Sequence, residues 1–140
     1  GKCGCLPVPT TVEDAGRLLE EGRVVVMGGL RPGMTTDAVA ALLAERVGAD
    51  LLVKATDQEG IYSRDPRRFP DARKLDSVSF GDLSKLFAVD KHVAGIHQII
   101  DPKAAVILRR MRLKTVVVNG FVPENVLLAV KGERVGTVIS

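Results

Sequence analysis

Residues 50–66, Asp50-Leu51-Leu52-Val53-Lys54-Ala55-Thr56-Asp57-Gln58-Glu59-Gly60-Ile61-Tyr62-Ser63-Arg64-Asp65-Pro66, change character halfway along. The first six form a short, mostly apolar run that reads as a strand. From Thr56 onward the chain is polar and rich in turn formers, with Gly60 and an Asp-Pro pair. In open α/β sheets ligands sit beyond the carboxyl ends of strands, so this junction is either a surface loop or a site.

Working outward, the neighbouring segments are helices and strands in alternation. Thr11 to Glu21 opens with Thr-x-x-Asp, places Val12, Ala15, Leu18 and Leu19 on one face and stops at Gly22, as a capped helix does. Arg23 to Met27 is a continuous apolar run closed by Gly28-Gly29, which predicts a strand buried on both faces of a parallel sheet. Thr35 or Thr36 can cap a helix whose positions Ala38, Val39, Leu42, Leu43 and Val47 recur at helical spacing and which ends near Gly48. Residues 57–82 hold two prolines and many charges, lack a clear period, and read as a long loop with short extended pieces. Ser79-x-x-Asp82 caps a short helix, and Asp101-Pro102 starts another that runs to about Arg112. Thr115 to Asn119 is a strand, Pro123 to Lys131 a helix stopped by Gly132, and Val135 to Ile139 a last strand. The pattern predicts one α/β domain over residues 1–140, a three-layer αβα sandwich around a mostly parallel sheet.

Bulk properties narrow the function. With 140 residues, 46% hydrophobic and 26% charged, the chain can bury a core and is not disordered. No apolar run approaches the roughly 20 residues of a membrane span, and the start shows no basic segment followed by an apolar one. A cytoplasmic protein without membrane contact is the expectation. The net charge of +3 is spread among 17 acidic residues, with one Tyr and no Trp, so a small anionic ligand explains it as well as nucleic acid would. Cys3 and Cys5 are too close for an ordinary disulfide and lack partners for a zinc site, so no metal is expected there. His92 and His97 have no acidic or nucleophilic companion at a telling spacing.

Two loops carry candidate chemistry. Gly28-Gly29-Leu30-Arg31-Pro32-Gly33-Met34-Thr35-Thr36-Asp37 nearly spells a Walker A loop, but Met34 stands where its Lys must be, which argues against that class of NTPase. Glycines that let backbone approach a ligand, N–H groups at a helix start and two hydroxyls still suit an anion, while a plain capped turn explains them equally well. Asp37 is either an acid on a helix's first turn or a carboxylate that positions a cationic side chain or a metal-bound phosphate. In the second loop Tyr62 can flank a base and Asp65 can accept from a ribose hydroxyl or a base amine, against the alternative of an ordinary Asp-Pro turn. Lys54 is open between phosphate ligand and rim charge. Arg64, Arg67 and Arg68 read as solvated or as rim charges that draw in polyphosphates.

These two loops, in this order, resemble the amino acid kinase superfamily, most closely its archaeal uridylate (UMP) kinases. The matching segments are Met27-Gly28-Gly29 with Pro32-Gly33 and Thr35 to Ala40, then Ala55-Thr56 with Gly60-Ile61-Tyr62 and Asp65-Pro66. Ile100-Asp101-Pro102, Val116 to Asn119, Lys131-Gly132 and Gly136-Thr137 agree too. The resemblance implies the C-terminal, nucleotide-binding half of a carbamate kinase-like fold, transferring the γ-phosphate of ATP to UMP. It implies that Leu30, Arg31, Pro32, Gly33, Met34, Thr35 and Thr36 hold UMP, that Thr56, Asp57, Tyr62 and Asp65 hold ATP, and that Asp37 organises the centre. Mg²⁺ is implied as an ion held mainly through the ATP phosphates. Three positions depart from the pattern: Leu30 for Thr, Asp57 for Asn and Glu59 for Asp. Family members are longer, their N-terminal half supplying a Gly-rich phosphate loop, so a homo-oligomer or a second chain carrying that half is expected. The rival expectations are a non-catalytic nucleotide binder of the same fold and a related kinase with another small carboxylate or phosphate acceptor.

Overall fold

Three consecutive valines set the layers. They lie in β3 (Thr115–Asn119), a strand buried at four of its five residues. Period two sends Val117 to one face and Val116 and Val118 to the other. The computed structural model describes residues 7–89 and 99–140, so Cys3, Cys5, His92 and His97 lie outside the described residues.

β1 (Leu52–Thr56) pairs in parallel with β3, Leu52 opposite Thr115 and Thr56 opposite Asn119. On the other side of β3 runs β4 (Thr137–Ile139), antiparallel. β2 (Ser77–Val78) extends the sheet in parallel with β4, giving the order β1-β3-β4-β2. Two of the three pairings are parallel, and the antiparallel β3–β4 pair makes the sheet mixed.

On the Val117 face, one core unites Ala41 and Ala44 of α2 (Thr36–Val47), Leu83 of α3 (Phe80–Val89), and Ala104, Ala105 and Leu108 of α4 (Pro102–Met111) with Ile139. Small residues at the α2–α4 contact let the two helices approach closely. On the other face, among the described residues, Val116 and Val118 cluster with buried Ala129 of α5 (Glu124–Lys131), with Leu51, Val53, Val135 and Val138 at the border. α1 (Val12–Glu20) stacks outside α2, with Gly16 buried where a Cβ would come within 3.0 Å of the Arg46 side chain. The result is the expected α/β sandwich, thick on one side and thin on the other.

Helix ends follow local chemistry. The hydroxyls of Thr11, Thr35 and Ser79 accept from the backbone N–H three residues on, and the Asp101 carboxylate does the same for Ala104. Asp14 bonds to the Thr11 hydroxyl and to Arg17, which holds its carboxyl below the usual carboxylate range. Gly48 and Gly132 end their helices in the left-handed region.

One expected element is not there. Residues 23–27 join no ladder, and Val24 and Val26 are 94% and 78% exposed. An apolar run becomes a buried strand only when a neighbour accepts its backbone bonds, and none of the described strands does. Conversely, β2 lies inside the stretch expected to be loop; it exists because β4 offers an edge. Among the described residues no helix is long and apolar enough to cross a membrane.

β4 is keyed into the core by two consecutive residues. Gly136 has φ +63°, and a Cβ there would lie 1.9 Å from the Val117 carbonyl oxygen. The buried Thr137 hydroxyl accepts from Ile61 N at 2.8 Å and donates to the Leu75 carbonyl. Thr137→Val should therefore strand a buried donor and a carbonyl and cost about 1–3 kcal/mol, whereas Thr137→Ser should keep most of the stability. Gly136→Ala should cost at least about 2 kcal/mol, since backbone must move. Denaturant midpoints at constant slope measure all three.

Candidate functional site

Parallel pairing puts the carboxyl ends of β1 and β3 side by side, and the loops that leave them form one rim. Gly120 N donates to the Thr56 carbonyl at 2.8 Å, and a Cβ on Gly120 would meet that of Ala55 at 2.9 Å, so the backbones touch there.

Alternation along β1 sends Leu52, Lys54 and Thr56 toward the α2–α4 layer. Lys54 is thereby aimed at the first turn of α2, where it forms an ion pair with Asp37, the two side chains 27% and 15% exposed. The other Asp37 oxygen accepts from the backbone N–H of Asp101 at 3.2 Å, at the start of α4. Asp37 thus ties α2, β1 and α4 together beside the sheet's carboxyl edge. Such a carboxylate is fixed by its partners, and the ammonium it holds is fixed with it. Removing either partner would leave a partly buried charge uncompensated.

The loop before α2 is a Pro-Gly turn. Met34 N donates to the Arg31 carbonyl at 3.1 Å, and Gly33 takes φ +78°, as the third position of a type II turn demands. Arg31, Pro32, Gly33, Thr35 and Thr36 are exposed, while Leu30 and Met34 are half-buried. Thr35 caps α2 by accepting from Ala38 N at 3.1 Å, which leaves its hydroxyl hydrogen for a ligand oxygen.

The loop after β1 is anchored at Ile61, wholly buried, and at Gly60, whose φ of +152° lets it pass Thr137 where a Cβ would come within 2.4 Å of the hydroxyl. Tyr62 bridges to Lys74, and backbone bonds at Ser63–Arg73 and Leu75–Ile61 zip the loop into a hairpin-like piece. Asp65 accepts from Arg67 N at 2.9 Å and so closes its own Asp-Pro turn. Asp57 touches the Thr56 hydroxyl at 3.3 Å and the Arg67 guanidinium at 2.7 Å.

The structure adds groups that sequence reading left open or did not weigh. Lys54 had one signal, a cation inside an otherwise apolar strand. Asn119 had less: its amide donates to Glu59, its side-chain oxygen accepts from Phe121 N, and its carbonyl accepts from Asn125, so it joins the β1 and β3 loops. Arg67 lies ten residues from the carboxylate it meets. Asp37, Thr56 and Asp57 therefore flank one stretch of sheet edge with Lys54 between them, while Tyr62 and Asp65 belong to the hairpin that follows.

Comparison with known proteins identifies the family and the fold. A uridylate kinase of Methanocella arvoryzae is 49% identical over 131 residues, 94% of this chain and 58% of that protein. One from Archaeoglobus fulgidus is 47% identical over 133 residues, 95% of this chain and 60% of that protein. The crystal structure of an Archaeoglobus fulgidus uridylate kinase superposes with a TM-score of 0.82 at 46% identity, covering 96% of this chain and 60% of that one. A UMP kinase from Bacillus anthracis shares the fold, with a TM-score of 0.77 at 24% identity over 94% of this chain and 52% of that one. The chain spans about three-fifths of the length of the archaeal relatives. The family model for the amino acid kinase family matches residues 8–119, four-fifths of the 140 in the sequence, and the chain belongs to that family.

Proposed function

We propose that this chain is the C-terminal, nucleotide-binding part of a uridylate kinase, which moves the γ-phosphoryl group of ATP onto a phosphate oxygen of UMP to give ADP and UDP. The observation that carries the reading is the Asp37–Lys54 pair. It joins the helix that follows the Pro-Gly turn to the strand that leads into the Thr56 loop. A group between two loops that hold a donor and an acceptor is placed where charge moves.

Phosphoryl transfer asks for alignment and for relief of negative charge, with little covalent work by protein. Leu30 to Met34, with Thr35 and Thr36, hold the UMP phosphate on exposed backbone and hydroxyls. Thr56, Asp57, Tyr62 and Asp65 line the ATP side of the rim, Asp57 beside the phosphates with Arg67 as its partner, Tyr62 beside the base and Asp65 toward the sugar. The Lys54 ammonium faces the transferring group, and Asp37 fixes its direction. Mg²⁺ held mainly through the ATP phosphates would supply further charge neutralisation. Asp37 and Asp57 each already have a cation partner, a donor set that suits an ion carried by phosphates.

The remaining part of the cradle comes from a further segment or a second chain. Exposed Val24 and Val26, in a run with no ladder partner among the described strands, support that completion. The relatives' extra length points the same way.

The reading is tested by following UDP formation from ATP and UMP by ³¹P NMR, with glutamate and carbamate as control acceptors. Product with UMP alone is expected. ATP binding without any UDP would instead favour the non-catalytic nucleotide binder. In the active form, Asp37→Asn and Lys54→Met should each lower kcat by roughly 10²–10³ while changing the Kd for ATP by less than about threefold. An unchanged kcat for Asp37→Asn would remove its organising role.

A further inference from the structure

A carboxylate at the end of β1 is an odd companion for a polyphosphate. Asp57 is half exposed and lies next to Thr56, on the rim assigned above to ATP. An unpaired anion there would repel the triphosphate more than a monophosphate, because like charges a few ångström apart destabilise each other even in a high dielectric.

The structure supplies its counter-ion from ten residues away. The Arg67 guanidinium meets the Asp57 carboxylate at 2.7 Å. It is held there by a preformed turn: Asp65 accepts from Arg67 N at 2.9 Å, Pro66 fixes the intervening backbone, and the Asp65 carbonyl accepts from Arg68 N and Phe69 N at 3.1 and 3.0 Å. The two neighbouring arginines go elsewhere. Arg64 pairs with Asp71 at 3.4 Å and lies over the Phe69 ring at 5.3 Å, and Arg68 lies over the same ring at 5.9 Å. Of the three, only Arg67 reaches the strand end. An exposed pair of this kind contributes little to stability, so its consequence is sought in what it does to a charged ligand.

The geometry points to Arg67 as an affinity-determining residue for the nucleotide's polyphosphate: it neutralises Asp57 and presents the phosphates with an edge that carries no net negative charge. Asp65 is then a positioning residue that acts through Arg67. The inference rests on the assignment of this rim to ATP.

Isothermal titration of the active form with ATP and with AMP, at low and at moderate salt, tests it. Arg67→Met should weaken ATP binding roughly tenfold and AMP binding by less than about threefold, since the cost scales with ligand charge. The loss should shrink with added salt. Asp57→Asn should bind ATP more tightly than wild type, and Asp57→Asn/Arg67→Met should return to within about threefold of wild type, because the double variant has lost both charges together. Equal losses for ATP and AMP in Arg67→Met, no loss at all, or no recovery in the double variant would overturn the inference while leaving the ATP assignment intact. Weaker ATP binding by Asp57→Asn in Mg²⁺ but not in EDTA would also overturn it, by making Asp57 a metal ligand. A wild-type active form that binds neither nucleotide would take down the ATP assignment and the inference with it.

Discussion

The parallel pairing of β1 with β3 is the constraint from which the rest follows. Because the two strands run the same way, Thr56 and Asn119 emerge side by side and the loops beyond them share one rim. The same pairing turns Lys54 toward the α2–α4 layer, where Asp37 waits on the first helical turn. An antiparallel neighbour would have sent one of these loops to the opposite edge. Thr137 secures the arrangement from the other flank. Its hydroxyl pins Ile61 and Leu75, so the hairpin-like piece after β1 cannot drift from the sheet that positions it.

The site is stiff in some places and open in others, and the division follows burial. Asp37 and Lys54 are largely covered, and Asp37 is held by two partners, which suits groups whose direction matters. The Pro-Gly turn and Asp57 are exposed, which suits groups that must admit and release a ligand. The thin Val116–Val118 face behaves differently again. It is covered by one helix, and Phe121 and Val130 remain 81% and 63% exposed beside it. That asymmetry is consistent with a chain that spans about three-fifths of its relatives' length.

Features written in adjacent residues were legible in the sequence. Caps at Thr11, Ser79 and Asp101 need only a side chain and the N–H three positions on, so the letters suffice. The strand at Thr115 to Asn119 was legible because burial on both faces leaves no alternation to misread. The run at residues 23–27 looks the same on paper and forms no ladder, since apolarity records that a segment can be buried and says nothing about which strand is there to pair with it. β2 shows the converse: two residues carry no period, and only the β4 edge makes them a strand. In the site, Asp37 could be singled out from its place on a helix start, but its partner could not. Lys54 becomes its partner through strand alternation and helix placement acting together.

Two of the three positions that the resemblance marks as departures, Asp57 and Glu59, meet partners distant in sequence. Asp57 adds a negative charge to the rim, and the Asp65-Pro66-Arg67 turn brings a positive one to it. Glu59 reaches the Asn119 amide on the next loop and so joins the loops that leave β1 and β3. Leu30, the third, is half-buried next to the Pro-Gly turn. In the first two cases the altered residue and its partner are ten and sixty positions apart, and the distance between them in space is set by one turn and one strand pairing. A change of charge or length on the rim is therefore tolerable only where the fold already holds a group within reach, and the parallel β1–β3 edge provides such groups on both sides.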